Sequence, residues 1–439
     1  MGRNPLQLPI DARSRSALAA SGLRLALVDP SDDAQVRAWF EAESRGFLSP
    51  APTDETFAES RVAFTERRST GVWDDSLAEP ATPVGTITCW PADLSLPGER
   101  ILASWAISGV TVSPTHRRRG IARALLEAEL RTAHAAGLPV AVLTVSEATI
   151  YGRFGFGPAT EATELSIDTR RAGWRGGPVA GRVQYVSREQ LLRDAPAIWA
   201  GARRSTPGAV ALSGLVFTRI FGRASDDDDL RARRFARYDD AHGAPTGYLV
   251  YTAAENESDF AASSAQVVHL VAATPDAYSA LWRFVLQLDL IGTVTARLRS
   301  TDEALKWLVA NPRAVRTTSV SDHLWLRILD PVVTLQARAY AGPARIALAV
   351  DDPLDYAAGR FLLAVDDHGF ATVTRIDDAE EPDVPAVRLG VAVLGSLLLG
   401  GVSAVTLQRA GLVGGSTESV ALLDRAFRSP TVPWLDVWF

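Results

Sequence analysis

The sequence predicts an α/β protein with more than one domain. Its 439 residues exceed what one hydrophobic core usually supports. Two stretches, residues 109–131 and 268–290, share the order of a strand, a turn with proline and a helix, and each leads into a second strand. Strands joined through a helix generally pair in parallel in an α/β sheet. The shared order indicates an internal repeat, and two unrelated strand–helix units are the alternative.

The elements before the first of these stretches are predicted from local patterns. Residues 1–22 are expected to form a flexible leader that is either disordered or loosely docked. After it, "LRLALVDP" predicts a strand and a turn, and a helix follows that Ser31 or Asp32 caps. "VGTITCW" and "ILASWAISGVTV" are typical of strands, and "LPGE" between them is typical of a hairpin turn.

The first repeat copy continues with an amphipathic helix and a buried strand. Ile121, Leu125 and Ala128 recur at helical spacing and define one apolar face. Gly137 is expected to stop the helix, and "PVAVLTV" predicts the next strand. The following segment, "SEATIYGRFGFGPATEATEL", is rich in glycine and aromatic residues, so it predicts turns that lead back into a strand.

The composition argues against several classes of protein. A net charge of −6 offers no basic surface, so no nucleic-acid partner is expected. The single cysteine, Cys89, excludes intrachain disulfides and the usual multi-cysteine zinc site, and it fits a reducing cytoplasm. The six histidines lack metal-ligand spacing, so no metal is expected. The start of the chain lacks the apolar core of a signal peptide, and we expect a cytoplasmic protein.

One uncharged stretch requires a test for a membrane span. Residues 389–408 carry no charge over a length that is sufficient to cross a bilayer. However, the stretch contains four glycines and has no flanking aromatic anchors. We therefore predict a buried helix or strand, a glycine turn and a second helix, with no membrane span.

The clearest chemical signal is "VTVSPTHRRRGIARAL". It places Arg117, Arg118, Arg119 and Gly120 between a strand and the start of a helix. A helix N-terminus presents unpaired N–H groups and a partial positive charge, and glycine allows a ligand to approach the backbone closely. Arginines add donors that bind phosphate in a bidentate manner. This combination predicts a pyrophosphate site, although its spacing is neither the Rossmann nor the P-loop pattern.

This motif carries a resemblance to a known family. Arg117-x-x-Gly120-x-Ala122 resembles the acetyl-CoA signature of the GNAT acetyltransferases. The longer context, "VSPTHRRRGI…LTVSEATIYGRFGFGPAT", resembles the Eis (enhanced intracellular survival) branch of that superfamily. The resemblance spans the whole chain. It implies tandem GNAT domains, the second of them degenerate, followed by a sterol-carrier-protein-like α/β domain, with predicted bounds 23–168, 169–318 and 319–439.

The resemblance also implies roles for individual residues. Tyr151 matches the general acid of the family, and a core tyrosine with a satisfied hydroxyl is the alternative. A phenol with a reference pKa near 10 is suited to protonate a leaving thiolate. The residues that correspond to the acetyl-CoA site are Val110, Thr111, Val112, Arg117, Arg118, Arg119, Gly120, Ile121, Ala122, Arg123, Ser146 and Glu147.

The C-terminus, "PWLDVWF", is unusually apolar for a chain end. In the Eis family the C-terminal carboxylate serves as the general base, which implies this role for Phe439. Burial among aromatic side chains would raise the pKa of such a carboxylate toward that of a useful base. A tail that merely packs is the alternative.

The acceptor site departs from the pattern of the family. Trp438 stands where a glutamate is expected and the nearest acid is Asp436, while Gly109 replaces a large aromatic residue. Glu41 and Glu43 lie in a segment that the resemblance places near the acceptor channel.

Taken with the resemblance, the sequence predicts an acetyl-CoA-dependent N-acetyltransferase. The expected acceptor is a small polyamine-like or aminoglycoside amine, acetylated by direct transfer in a ternary complex. The alternatives are acetylation of a protein lysine or N-terminus, and a non-catalytic protein that binds acyl-CoA or lipid. The resemblance further implies a homohexamer, a dimer of trimers.

Overall fold

The computed structural model describes residues 5–222, 227–377 and 383–439, and within these ranges the strands form three sheets. The strands are β1 Arg24–Leu27, β2 Arg68–Trp73, β3 Gly85–Leu96, β4 Arg100–Val112, β5 Val140–Thr144, β6 Gly157–Pro158, β7 Glu161–Asp168, β8 Arg182–Tyr185, β9 Arg233–Asp239, β10 Pro245–Ala254, β11 Ser263–Ala272, β12 Ile291–Arg299, β13 Val315–Asp322, β14 Leu324–Ile328, β15 Ala344–Asp351, β16 Gly359–Val365, β17 Ala371–Ile376, β18 Ala386–Gly390 and β19 Val413–Gly415.

The α-helices connect these strands and cover the sheets. They are α1 Ala12–Ala19, α2 Asp33–Gly46, α3 Asp54–Arg61, α4 Ala63–Glu66, α5 Ile121–Ala135, α6 Ala148–Tyr151, α7 Thr169–Ala172, α8 Arg188–Arg204, α9 Gly214–Ile220, α10 Asp227–Ala232, α11 Pro275–Leu286, α12 Leu305–Leu308, α13 Pro331–Ala337, α14 Val391–Leu398, α15 Ala404–Arg409 and α16 Thr417–Phe427.

The first sheet has the strand order β1-β2-β3-β4-β5-β14-β6. Strands β3 and β4 form the predicted hairpin, and β4 pairs in parallel with β5 through helix α5, as the strand–helix–strand pattern requires. The predicted apolar face of α5 is buried against this sheet. Gly137 follows the helix with φ of +77°, which is the left-handed conformation of a helix stop.

Strands β4 and β5 separate before β4 ends. They pair from Ser104–Val140 to Ile107–Leu143, and no pairing between them continues beyond that point in the described chain. Next to this point, the register between β3 and β4 shifts, and Gly109 adopts φ of +61°. A bulge of this kind bends a strand and increases its twist. It therefore turns the end of β4 away from β5 and opens a cleft in the sheet.

The second sheet has the order β13-β7-β12-β11-β10-β9-β8. Its strands β11 and β12 pair in parallel and are joined through α11, so the arrangement of β4, α5 and β5 recurs. The side chain of Thr274 caps α11, and Pro275 occupies its first turn. The order predicted from the second stretch of sequence is thus confirmed.

The third sheet, β17-β16-β15-β18-β19, packs with α14 and α16 around a core of aliphatic side chains. The uncharged stretch forms the end of β18, the buried helix α14, a glycine turn and helix α15, as predicted. In the part of the chain that the structure describes, no helix is long and apolar enough to cross a membrane.

The described part of the leader, residues 5–22, is docked on the first unit and is not disordered. Helix α1 packs against α5 and buries Leu18, which is 3% exposed. Arg68 donates to the carbonyl oxygens of Leu8 and Pro9, at 2.5 and 3.2 Å. These contacts are distant in sequence, so local composition did not reveal them.

Two predicted domain boundaries do not coincide with the sheets. Strand β7, which we expected in the first domain, lies in the second sheet, and β14, expected in the third, extends the first sheet. Arg327 of β14 forms a fully buried ion pair at 2.7 Å with Asp352, which follows β15. An open strand edge accepts a partner from any part of the chain, and sequence order alone does not specify which.

Candidate active site

A cavity of about 770 Å³ opens where β4 and β5 separate. Its walls come from the ends of both strands, from helix α2 with the loop behind it, and from the C-terminus of the chain. The residues that line it include Phe40, Glu43, Val110, Thr144, Ser146, Tyr151, Arg219, Trp438 and Phe439.

The end of β4 provides one wall of this cavity. Beyond Ile107, its edge toward β5 no longer takes part in the sheet, while its other edge remains paired with β3 as far as Val112. The Thr111 hydroxyl bonds to that of Thr86 at 2.6 Å, which ties this wall to β3. The strand predicted to face the thioester therefore presents an edge with free backbone groups along the cleft.

The predicted pyrophosphate loop precedes α5. Gly120 caps the helix in the left-handed conformation, with φ of +79° and no side-chain cap, so the first-turn N–H groups remain open to a ligand. Arg117 and Arg118 are exposed, and among the described residues neither forms an ion pair. Ile121 is buried, Ala122 is half-buried and Arg123 pairs loosely with Glu127 at 4.0 Å.

Arg119 has a different environment from its two neighbours. Its guanidinium donates to Asp74 at 3.3 Å and to the Ser21 carbonyl at 2.9 Å. Asp74 also contacts His116 at 3.1 Å, and hydrogen bonds from Ser76 and His116 hold the pKa of that carboxyl well below its usual range. Arg119 thus anchors the loop, and the expectation that it contacts the phosphates directly is not supported by this geometry.

Tyr151 ends the short helix α6, whose N-cap is the predicted site residue Glu147. The ring is 7% exposed and lines the cavity. Burial, with the negative charge of Glu147, raises the pKa of the Tyr151 phenol above its usual value. Its hydroxyl has no hydrogen-bond partner within the described residues, which argues against a satisfied core tyrosine. Glu147 itself is exposed and bonds to Thr149, whereas Ser146 lines the cavity.

The C-terminus reaches the same cavity as Tyr151. Phe439 is 8% exposed, and its ring lies edge-on to Trp90 at 5.7 Å. The Thr144 hydroxyl donates to an oxygen of the Phe439 carboxylate at 3.2 Å. Upstream, His323 Nε2 donates to the Val437 carbonyl at 2.8 Å. The terminal carboxylate is therefore held at the end of β5, where the two strands separate.

The candidate acceptor residues separate into two groups. Glu43 and Trp438 line the cavity, and Trp438 is 44% exposed. Glu41 is exposed on the outer side of α2 and does not line it, so its predicted role is wrong. Asp436 is also misassigned, because it is buried against His269 of the second sheet at 3.0 Å. Asp436 and Trp438 therefore have different surroundings despite their proximity in sequence, since Asp436 is buried beside the second sheet and Trp438 lines the cavity.

The glycine at position 109 shapes the acceptor side. A Cβ atom there would lie 3.2 Å from both Glu43 Oε1 and the ring of Trp39. Together with the left-handed backbone, this close approach disfavours any larger residue. Helix α2 can consequently pack closely over the bulge in β4.

Sequence reasoning missed several residues around the cavity. Arg219 of the second domain donates to the Trp438 carbonyl. Arg67 stacks on Trp90 at 3.9 Å, and burial lowers its pKa to about 10. Phe40 and Thr144 complete the walls. Thr144 stands at the end of β5 within the quoted "LTVSEATIY" stretch. No local motif marks Arg219, Arg67 or Phe40, which reach the site only by packing between distant segments.

Two further observations bear on the chemistry. Cys89 is fully buried in β3 and does not line the cavity, and burial raises the pKa of its thiol well above the usual value. Throughout the described ranges, no group of three or more His, Cys, Asp or Glu residues is arranged to hold a metal ion.

Comparison with known families agrees with this architecture. Residues 28–159 and 213–328 each match a model described as an acetyltransferase (GNAT) domain, and residues 332–436 match a sterol carrier protein domain. The predicted tandem GNAT domains and the sterol-carrier-like third domain are thereby confirmed.

Individual relatives extend over most of the chain. An uncharacterized N-acetyltransferase from Streptomyces avermitilis is 33% identical over 93% of this chain and 97% of its own length. The N-acetyltransferase Eis of Mycobacterium tuberculosis is 34% identical over 76% of this chain and 81% of its own. The crystal structure of Eis1 from Mycobacterium abscessus superimposes with a TM-score of 0.77 at 28% identity, covering 94% of this chain and all of that one.

The GNAT fold implies acetyl-CoA as the acyl donor, and the exposed arginines and open helix N-terminus before α5 suit its pyrophosphate. The cleft, the loop and the relatives agree, and the chain belongs to the Eis-type GNAT N-acetyltransferases.

Proposed function

We propose that this enzyme transfers the acetyl group of acetyl-CoA directly to an amine of a small polyamine-like or aminoglycoside acceptor within a ternary complex. The observation that carries the proposal is that the terminal carboxylate of Phe439 and the phenol of Tyr151 line one cavity, at the point where β4 and β5 separate. A base and an acid therefore face the place where the GNAT fold directs an acyl thioester.

In the proposed mechanism the two groups act on opposite sides of the reaction. The Phe439 carboxylate accepts a proton from the acceptor ammonium, because only a neutral amine attacks a carbonyl. Attack on the thioester forms a tetrahedral oxyanion, and the free backbone edge of β4 offers N–H donors to it. When the C–S bond breaks, Tyr151 protonates the leaving thiolate, and the nitrogen, which carries two protons after the attack, releases one of them to solvent to give the neutral amide. The proton held by the carboxylate then restores the phenol through solvent.

Cys89 supports direct transfer over an acyl-enzyme. An acyl-enzyme requires a nucleophile that contacts the thioester and is readily ionised. Cys89 meets neither requirement, because it lies in the core of the first sheet with a raised pKa. The proposal thus needs no covalent intermediate on this residue.

The charges at the cavity support an amine acceptor. Two carboxylates, those of Glu43 and the C-terminus, and one guanidinium, that of Arg219, lie on its walls, so the excess of negative charge attracts cations. A turnover screen with acetyl-CoA against aminoglycosides, polyamines and lysine peptides tests the acceptor class. Turnover of lysine peptides alone would favour the alternative of protein acetylation. The homohexamer and the cytoplasmic location remain predictions, and light scattering of the purified protein tests the former.

Two full-length variants test the roles of the acid and the base. Tyr151→Phe should lower kcat by 10²-fold or more, in the range of general acid catalysis, with unchanged acetyl-CoA affinity. Tyr340→Phe is the matched control, since its buried hydroxyl bonds to Leu335 far from the cavity. A C-terminal extension by three glycines displaces the carboxylate and should abolish transfer. Wild-type turnover in either active-site variant contradicts the corresponding role.

A further inference from the structure

The second sheet contains a cleft equivalent to the one at the active site. Strands β11 and β12 pair from Ser263–Ile291 to Val267–Ala296 and then separate. The register between β10 and β11 shifts at the same level, between Val250 and Tyr251, as it does between β3 and β4 in the first sheet. Each GNAT unit thus has two parallel strands that separate beside a bulge.

The chemistry at the helix after this second cleft is different. The Thr274 hydroxyl accepts the Ala277 N–H at the start of α11, and Asp276 places a negative charge in the first turn. The corresponding turn of α5 has no side-chain cap and follows three arginines. An acid and an occupied cap both disfavour an anion at a helix N-terminus. The second cleft therefore lacks the features that suit a pyrophosphate.

Trp434 of the C-terminal segment occupies this cleft. Its indole N–H donates to the Leu298 carbonyl of β12 at 2.8 Å, and its backbone N–H donates to Pro207 at 2.8 Å. The guanidinium of Arg299 lies 4.8 Å from the indole ring and also donates to the Leu270 carbonyl of β11 at 3.1 Å. The ring is consequently held by two groups of β12, one of which, the Arg299 guanidinium, is itself bonded to β11.

Asp436 adds a second contact two residues further along. Its buried carboxylate lies 3.0 Å from Nε2 of His269 on β11, and Nδ1 of that ring lies 3.0 Å from the Tyr248 hydroxyl. The Asp436–His269 contact has the distance of an ion pair but lies off the hydrogen-bond axis. A small cavity of about 170 Å³, lined by Trp434, Asp436 and Arg299, lies beside these side chains.

We infer that the cleft of the second GNAT unit is a binding site for the chain's own C-terminal segment, residues 434–436. Phe439 lies three positions beyond Asp436, a reach of at most about 10 Å in an extended chain. Fixing Trp434 and Asp436 in the second unit therefore restricts where the terminal carboxylate lies in the first. Trp434 is a positioning residue, and its effect on turnover rests on the proposed function of that carboxylate.

The test measures docking of the segment separately from turnover. Full-length Trp434→Ala is compared with wild type and with two other variants. Trp434→Phe keeps a ring beside Arg299 but loses the indole N–H, and Trp307→Ala changes a different tryptophan. Trp307 is the matched control, because it is in the same unit and 79% exposed. Release of Phe439 by carboxypeptidase A reports undocking, and calorimetric titration with acetyl-CoA reports the integrity of the first unit.

In Trp434→Ala we expect Phe439 to be released more than about tenfold faster and kcat to fall at least tenfold. A tenfold change corresponds to about 1.4 kcal/mol of lost docking free energy. The KM for acetyl-CoA should stay within twofold of wild type. Trp434→Phe should lie between these values, and Trp307→Ala should match wild type. If Trp434→Ala loses acetyl-CoA binding, the decision rests on Trp434→Phe.

The outcomes distinguish the two proposals. Wild-type protection of Phe439 in the variants that bind acetyl-CoA overturns the docking site and leaves the catalytic role of the carboxylate intact. Faster release with undiminished kcat on the intact chain supports the docking site and contradicts the carboxylate as base.

Discussion

Replacing Phe439 with alanine tests whether the phenylalanine ring holds the terminal carboxylate in position, because the variant still has that carboxylate. The variant keeps the length of the chain and its α-carboxylate, and it removes a ring that is 8% exposed and edge-on to Trp90. Burial of a phenylalanine side chain and one aromatic pair together stabilise the docked end by about 3 kcal/mol. That energy corresponds to about a hundredfold change in an equilibrium constant.

Because the other tail contacts remain, the expected loss in kcat is smaller than this limit, about 10- to 100-fold. The KM for acetyl-CoA should stay within twofold, since the pyrophosphate loop is unchanged. The assay is initial-rate kinetics with both substrates saturating, using a thiol reagent to detect free CoA. Phe439→Leu should recover most of the activity, and Phe260→Ala, at an exposed position of the second unit, is the matched control.

A kcat for Phe439→Ala within twofold of wild type would refute the reasoning, because the ring would then have no part in holding the carboxylate. A rise in KM for acetyl-CoA with unchanged kcat would also refute it, since this pattern assigns the ring to donor binding.

Three further predictions follow from other contacts. Arg118→Ala should raise the KM for acetyl-CoA about tenfold, because it removes one charge-assisted contact. Initial rates at fixed ionic strength measure this change. An unchanged KM would contradict the place of Arg118 in the pyrophosphate loop. The pKa of the Tyr151 phenol is raised, so the phenol should stay protonated and able to donate below pH 10. Glu147→Gln removes a negative charge and lowers that pKa, so the alkaline limb of the pH profile of kcat should move to lower pH. A limb that does not move would contradict this coupling. Asp352→Asn leaves the Arg327 guanidinium buried without its anion and should lower the free energy of unfolding, measured by urea denaturation, by about 3–5 kcal/mol. The neighbouring Asp351→Asn breaks an exposed ion pair and should lower it by less than about 1 kcal/mol. Equal losses in the two variants would contradict the argument.

The features that the sequence predicted correctly are those encoded within short segments. The spacing of Ile121, Leu125 and Ala128 defined the buried face of α5, and the hairpin of β3 and β4 followed from its turn residues. The glycines within residues 389–408 distinguished two short helices from a membrane span. Each of these patterns repeats over one or two helical turns or strand pairs, so it is visible without knowledge of the fold.

The features that the sequence did not predict depend on contacts between distant segments. The docking of α1 through Arg68, the transfer of β7 and β14 between sheets, and the environments of Arg119 and Asp436 all belong to this class. The charge of residues such as Arg119 and Asp436 indicated that each would need a polar or charged partner when buried, but it did not indicate which residue that partner would be.

The sequence by itself therefore determined many of the elements, the arginine-rich loop before α5 and, through resemblance, the family to which the chain belongs. Only the tertiary structure decided that Phe439 lies at Thr144, nearly three hundred residues away in the chain, and that Trp434 lies in the second cleft. The physical reason is that local propensities act over a few residues, whereas the carboxylate at the end of the chain acquires its surroundings only when every intervening domain has folded.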